Sequence, residues 1–108
     1  MNDRFRYRIP VYKNNEFDGF VYLNLGDKLP DLHGGYYSMA EQCTGLKDKN
    51  GKLIYERDII REISEKEPEW EEYITAVRWK ECGFNLYNTE DFDFEIIGNI
   101  HENGDLVV

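Results

Sequence analysis

Apolar and polar residues alternate over residues 5–12, placing Phe5, Tyr7, Ile9 and Val11 on one face of an extended segment and Arg4, Arg6 and Arg8 on the other. This period of two predicts a strand. Pro10 has no N–H to give to a ladder, which marks the strand as an edge or bent one. Residues 13–16 read as a turn, 20–25 as a second strand and the Gly-containing stretch 26–35 as a long loop. Residues 36–43 predict a short strand that ends at a Thr44-Gly45 turn. Farther on, 64–71 is an acidic loop with Pro68 and Trp70, and 73–79 is a strand rich in β-branched and aromatic residues. A turn at 80–83 folds 84–87 back as a hairpin, and 88–94 is an acidic connector with room for one helical turn before a last strand over 96–100. No long helix, internal repeat or interdomain linker is visible.

The most ordered stretch of residue choices is 43–60. Asp48 is placed to bond the backbone ahead of it, Lys49 and Asn50 tolerate the helical turn region, and Gly51 accepts positive φ, which together predict a hairpin with a Gly bulge. Leu53 and Tyr55 then point to one side of a strand and Lys52 and Ile54 to the other. Glu56-Arg57-Asp58 redirects the chain into the strand 59–63.

This run resembles the central signature of the YopX family of small phage and prophage proteins, in which a Thr-Gly-Leu-Lys-Asp, Asn-Gly, Ile-Tyr-Glu and Asp-Ile series recurs. A second block, Glu95-Ile96-Ile97-Gly98-Asn99-Ile100-His101-Glu102-Asn103, is similar to the family's closing signature, and Arg4-Phe5-Arg6 is weakly similar to its first strand. Three departures stand out: Arg57 where the family usually has Gly, His101 where it usually has Tyr, and Gly104-Asp105-Leu106 where Pro is common. If the Arg57 turn needs positive φ, the side chain is strained by about 1 kcal/mol or more. The resemblance implies a phage-encoded protein with a mostly β fold: a small, SH3-like, partly open barrel over 43–108 with an N-terminal β-hairpin over 1–42 appended to it, in one domain. It implies no catalytic residues and no cofactor.

Composition narrows the classes. The 108 residues suit one domain, and 41% hydrophobic with 15% aromatic residues supplies a modest core. No apolar run approaches the ~20 residues that span a bilayer, and the opening residues lack the apolar middle of a signal peptide, so a cytoplasmic protein without membrane contact is expected. Cys43 and Cys82 then read as reduced packing residues. A net charge of −9 argues against direct nucleic-acid binding, which draws its affinity from Lys and Arg on phosphates.

Candidate chemistry is sparse. His33 and His101 have no Cys or His neighbour at metal-ligand spacing and read as surface or loop histidines. The carboxylate runs around Glu65–Glu72 and Glu90–Glu95 lack the ordered spacing and sharp Gly turn of a divalent-cation loop and read as solvated. Asp27, Asp31, His33, Gly34 and Gly35 form the one loop that mixes ionisable groups with flexible backbone, but without the Lys-Ser or Lys-Thr of a phosphate loop. Trp70, flanked by Glu69 and Glu71, is the first candidate for a partner contact. No catalytic, cofactor or metal site is assigned. The expected function is a non-enzymatic protein-binding or assembly module, meeting itself as a homo-oligomer or an unidentified phage or host protein. The alternatives are a small metal- or thiol-dependent enzyme built on Cys43, His101 and the carboxylates, or an acidic mimic of nucleic acid that blocks a basic partner.

Overall fold

A computed structural model describes residues 6–64, 72–80, 83–84 and 92–106. The chain is mostly β. Strands β1 (Arg6–Lys13), β2 (Glu16–Asn24), β3 (Gly35–Tyr37), β4 (Glu41–Lys47) and β5 (Leu53–Tyr55) share one curled sheet, with order β2-β1-β4-β5 and β3 also on β1. Strands β6 (Asp58–Ser64), β7 (Glu72–Ala76) and β10 (Phe92–Asn99) form a second sheet, order β10-β6-β7, and β8 (Trp79–Lys80) pairs β9 (Gly83–Phe84). Helix α1 (Ile100–Asn103) and a 3-10 turn (Gly104–Leu106) follow. The result is a small, barrel-like arrangement of sheets, in keeping with the mostly β fold that the resemblance implies.

The first hairpin closes on Asn14 and Asn15, both left-handed with φ of 53° and 61°, between the paired Lys13 and Glu16. Two successive left-handed residues are the geometry of a two-residue hairpin turn whose twist matches its strands, and Asn tolerates it. Pro10 is not on an edge. β1 is flanked by β2 along its whole length, and its other margin is divided, with Tyr7 and Arg8 on β4 and Val11 to Lys13 on β3. The Pro10 carbonyl accepts from Ser38 N–H at 2.9 Å on that divided margin. Because the N and C=O of an extended residue face the same side, the missing N–H falls on that divided margin, just beyond the last β1–β3 pair.

The Thr44-Gly45 pair lies inside β4 rather than ending it. The β4–β5 register slips between Cys43 and Lys47, and Gly45 has φ of 82°, so the expected turn is a bulge. Thr44 Oγ1 holds the bulge by donating to the Ile54 carbonyl (2.8 Å) and accepting from Leu46 N–H (3.1 Å). The following turn matches its prediction. Asp48 Oδ1 accepts from the N–H groups of Asn50 and Lys52, each at 2.9 Å, and Gly51 has φ of 81°.

Ile54, Ile60, Val77 and Phe94 form the buried centre, with Phe84 and Ile96 packed against it. Full burial of each large apolar side chain contributes roughly 1.5–3 kcal/mol. β6 and β10 supply Ile60 and Phe94 from the same sheet face, since residues opposite one another in an antiparallel pair share a face. Glu62, directly opposite Phe94, is on that face too and has no exposed surface.

Candidate functional site

Arg8, expected on an open face of β1, is buried with only 4% of its side chain exposed. Its Nε donates to Glu41 Oε1 at 2.8 Å, Nη1 lies 2.8 Å from Asp58 Oδ1, and Nη2 donates to the Glu56 carbonyl at 3.0 Å. The guanidinium carbon sits 4.0 Å from the centre of the Phe20 ring and 4.9 Å from that of Tyr55. Aromatic rings favour a desolvated Arg in this way because the flat cation meets their negative face. Burial works to lower the Arg8 pKa, but the charges and hydrogen bonds of Asp58 and Glu41 outweigh it and hold Arg8 above its ordinary value. Burial raises the Asp58 carboxyl against the pull of Arg8 and of the Tyr55 N–H, which Oδ2 accepts at 2.8 Å.

The network continues through Glu41, which has no exposed surface. Its Oε2 lies 2.6 Å from His101 Nε2 and 3.8 Å from Arg57 Nη1. His101 Nδ1 in turn lies 2.5 Å from the Tyr12 hydroxyl. A carboxylate on one ring nitrogen and a phenol on the other fit the tautomer in which Nε2–H donates to Glu41 and Nδ1 accepts from Tyr12. Phe17 stacks on the imidazole with ring centres 5.2 Å apart, and Tyr36 stacks on Tyr12 at 5.7 Å. Burial is the main cause that raises the Tyr12 hydroxyl pKa, with Tyr36 and Glu41 adding to it.

His101 is therefore not the surface histidine that its sequence setting predicts. The strand expected to run to Ile100 stops at Asn99, whose side chain accepts from the N–H groups of His101 (3.0 Å) and Glu102 (3.1 Å) and starts α1 as its cap. Asn103 Oδ1 accepts from Asn99 N–H at 3.3 Å. A Cβ on Gly98 would lie 2.3 Å from that oxygen, so only glycine leaves room for it. The Gly98–Asn103 run is thus a device that turns the chain and aims the imidazole inward. Both ring nitrogens are taken up by Tyr12 and Glu41, and Cys43, fully buried, has Gly45 N–H 3.4 Å from its sulfur.

Above Arg8 opens a cleft of about 840 Å³ between the two sheets. Arg6, Lys47 and Lys52 border it with exposed side chains, Tyr22 forms part of its wall, and Asn99 and Glu102 stand at its α1 end. None of the three cations makes an ion pair among the described residues. Elsewhere Lys49 and Arg61 are both bound to Glu95, at 2.9 and 2.5 Å.

Trp70, Glu69 and Glu71, the expected partner contact, lie outside the described residues. Asp27, Asp31, His33 and Gly34 are in a surface loop, where Asp27 Oδ2 accepts from Asn24 N–H at 2.8 Å and serves the turn, whereas Gly35 already belongs to β3, opposite Lys13. Among the described residues no three His, Cys, Asp or Glu side chains are grouped to hold a metal, and no helix is long and apolar enough to cross a membrane. Arg8, Tyr12, Glu41 and Asp58 are brought together by the fold and are not singled out as site residues by the sequence alone. The available signal for the first was a charged residue at the middle of a strand, next to Ile9.

The two signature blocks meet in space. Asp48 Oδ2 accepts from Ile96 N–H at 3.1 Å, Lys49 N–H donates to the Phe94 carbonyl at 2.8 Å, and Ile100 N–H donates to the Arg57 carbonyl at 3.0 Å. A family model described as YopX protein matches residues 11–107. The chain belongs to the YopX family. No curated protein and no solved structure matches it. In this YopX protein the residue that departs from the family's Gly, Arg57, has φ of 64°, so the turn between β5 and β6 does require the left-handed region and Arg57 is strained there.

Proposed function

We propose that this YopX protein is a non-enzymatic binding module of phage or prophage origin, and that the cleft above Arg8 is its recognition face for an anionic partner. The observation that carries the reading is the convergence of Arg6, Lys47 and Lys52, exposed and without ion-pair partners among the described residues, on one cleft of a chain with net charge −9. Cations left unpaired amid an excess of carboxylates attract a ligand of opposite charge, and a concave wall strengthens their field. The Arg8–Glu41–His101–Tyr12 network supports the same reading, because its hydrogen bonds fix Arg8, which lines the cleft. Titration calorimetry with two anionic probes, ADP and hexaglutamate, tests it. At least one binds the native protein and loses at least about tenfold in affinity, or ~1.4 kcal/mol, in an Arg6→Ala/Lys47→Ala/Lys52→Ala variant. Failure of both probes to bind would overturn the reading.

A further inference from the structure

The geometry points to a nucleoside phosphate as the ligand of the cleft, with its phosphate on Arg6, Lys47 and Lys52, its base on Tyr22 and its hydrogen-bonding far edge toward Asn99 and Glu102. The assignment rests on the cleft being the recognition face and goes further by fixing what it recognises.

The cleft has two unlike ends. β4 is antiparallel to β1, with Arg8 opposite Glu41 and Tyr7 opposite Gln42, so the chain beyond Gln42 runs toward the start of β1 and brings Lys47 to the end where Arg6 stands. Lys47 is paired with Leu53, which sets Lys52 beside it. Three cations therefore gather at one end. Glu102 marks the other, since it also borders the hollow beside Phe17 and Gly19, and these pair with Tyr12 and Val11. Val11 is five residues from Arg6, about 17 Å along an antiparallel strand. Between the ends stands Tyr22, 56% exposed and fixed in a T-shaped contact with Tyr55 at 5.6 Å.

A ligand that satisfies this wall carries negative charge at one end, a flat ring in the middle and hydrogen-bond donors at the other. A nucleoside phosphate such as ADP has that order: phosphate, then the base carried on its ribose, with the amino group on the far edge of the base donating to a carboxylate. A polycarboxylate peptide would set its own charge against Glu102, and inorganic phosphate would leave Tyr22 and the far end unused. The volume lies within the range of roughly 300–1,000 Å³ common for small-molecule sites. The net charge that disfavours a long polyanion acts weakly on a small one held within a Debye length, about 8–10 Å, of three cations.

The test is titration calorimetry with ADP, inorganic phosphate and hexaglutamate on the native protein and on Tyr22→Ala, Lys47→Ala/Lys52→Ala and Glu102→Gln. All four side chains are exposed, so the variants keep the fold, which unfolding curves verify. ADP binds more tightly than phosphate, and hexaglutamate does not bind. Tyr22→Ala weakens ADP about tenfold, as expected for loss of a stacked base, and the double lysine variant weakens it at least as much. Glu102→Gln decides the orientation: it weakens ADP if the carboxylate accepts from the ligand, whereas undirected attraction predicts tighter binding once a negative charge is removed. Tightened or unchanged ADP binding in Glu102→Gln, indifference to Tyr22→Ala, or phosphate as tight as ADP each overturns the assignment. Hexaglutamate binding while ADP is silent overturns it and leaves the binding-module reading standing; silence of every probe overturns both.

Discussion

Arg57 and Glu62 are two residues held against their own preferences. Arg57 occupies the left-handed region with φ of 64°, and its side chain recovers little, since it is 37% exposed and 3.8 Å from Glu41. Arg57→Gly relieves the clash between Cβ and backbone and is expected to raise stability by about 1 kcal/mol, read as a higher midpoint in urea with an unchanged slope. Glu62 is fully buried opposite Phe94, and neither carboxylate oxygen has a hydrogen-bond partner among the described residues. Burial alone raises its pKa. The folded state therefore binds the Glu62 proton more readily than the unfolded chain, and stability is lost as pH rises from the ordinary glutamate value through the folded one. Glu62→Met, which keeps the length and removes the unsatisfied group, is expected to stabilise at pH 7 by about 1–3 kcal/mol. That gain shrinks as pH falls to the ordinary glutamate range, which unfolding curves across pH 4–7 would reveal. Neither effect was legible in the sequence. Glu62 sits in an alternation that reads equally well with its carboxylate in water, and only the partner strands decide which face is covered.

Elements were more legible where their signals were local. The Asn14-Asn15 turn and the Asp48–Gly51 turn were read from the residues that make them, because the bonds they need span four or five positions. The β4–β5 turn is also tied down from a distance, since Asp48 accepts from Ile96 N–H as well as from Asn50 and Lys52. Burial pushes the Asp48 carboxyl up, but these three N–H donors and the Lys52 charge outweigh it and hold it below its ordinary value. Its contribution is thus complete above the ordinary aspartate range and is lost as pH falls through the lowered value. Asp48→Ala leaves backbone donors in two elements unsatisfied and is expected to cost about 2–3 kcal/mol at pH 7. The variant should also unfold with a weaker acid dependence below pH 4. The misread elements have one cause. From the sequence Pro10 marks an edge or bent strand, Thr44-Gly45 a turn and Ile100 a strand, and the structure keeps neither the edge, nor the turn, nor the strand, because each depends on a neighbour that the local sequence does not name: the divided margin of β1, the slipped register against β5, and the Asn103 side chain under Gly98.

At the scale of the molecule, −9 is an average that conceals a cleft with the opposite sign. From the sequence, that average argues against direct nucleic-acid binding, and scattered basic residues give no reason to expect a local exception. Arg6, Lys47 and Lys52 come together only because β4 runs antiparallel to β1 and past its start. The same holds for the network that fixes Arg8, since positions 8, 41, 58 and 101 carry no common spacing and each, taken alone, reads as an ordinary surface residue. Family membership, by contrast, was visible, because turn and cap residues recur as contiguous blocks.

The Arg8 network spans the chain, with 89 positions between Tyr12 and His101 and 60 between Glu41 and His101. Its last member is the last to leave the ribosome. Without it, Glu41 Oε2 keeps only the longer contact with Arg57 Nη1, at 3.8 Å. Contacts this far apart in sequence slow folding, so the short hydrogen bond to the second Glu41 oxygen is expected to form only when the Gly98–Asn103 run docks. The Gly98–Asn103 run supplies His101 to Glu41 and Gly98, Asn99 and Glu102 to the cleft, so one short stretch of chain ties the network to the cleft wall.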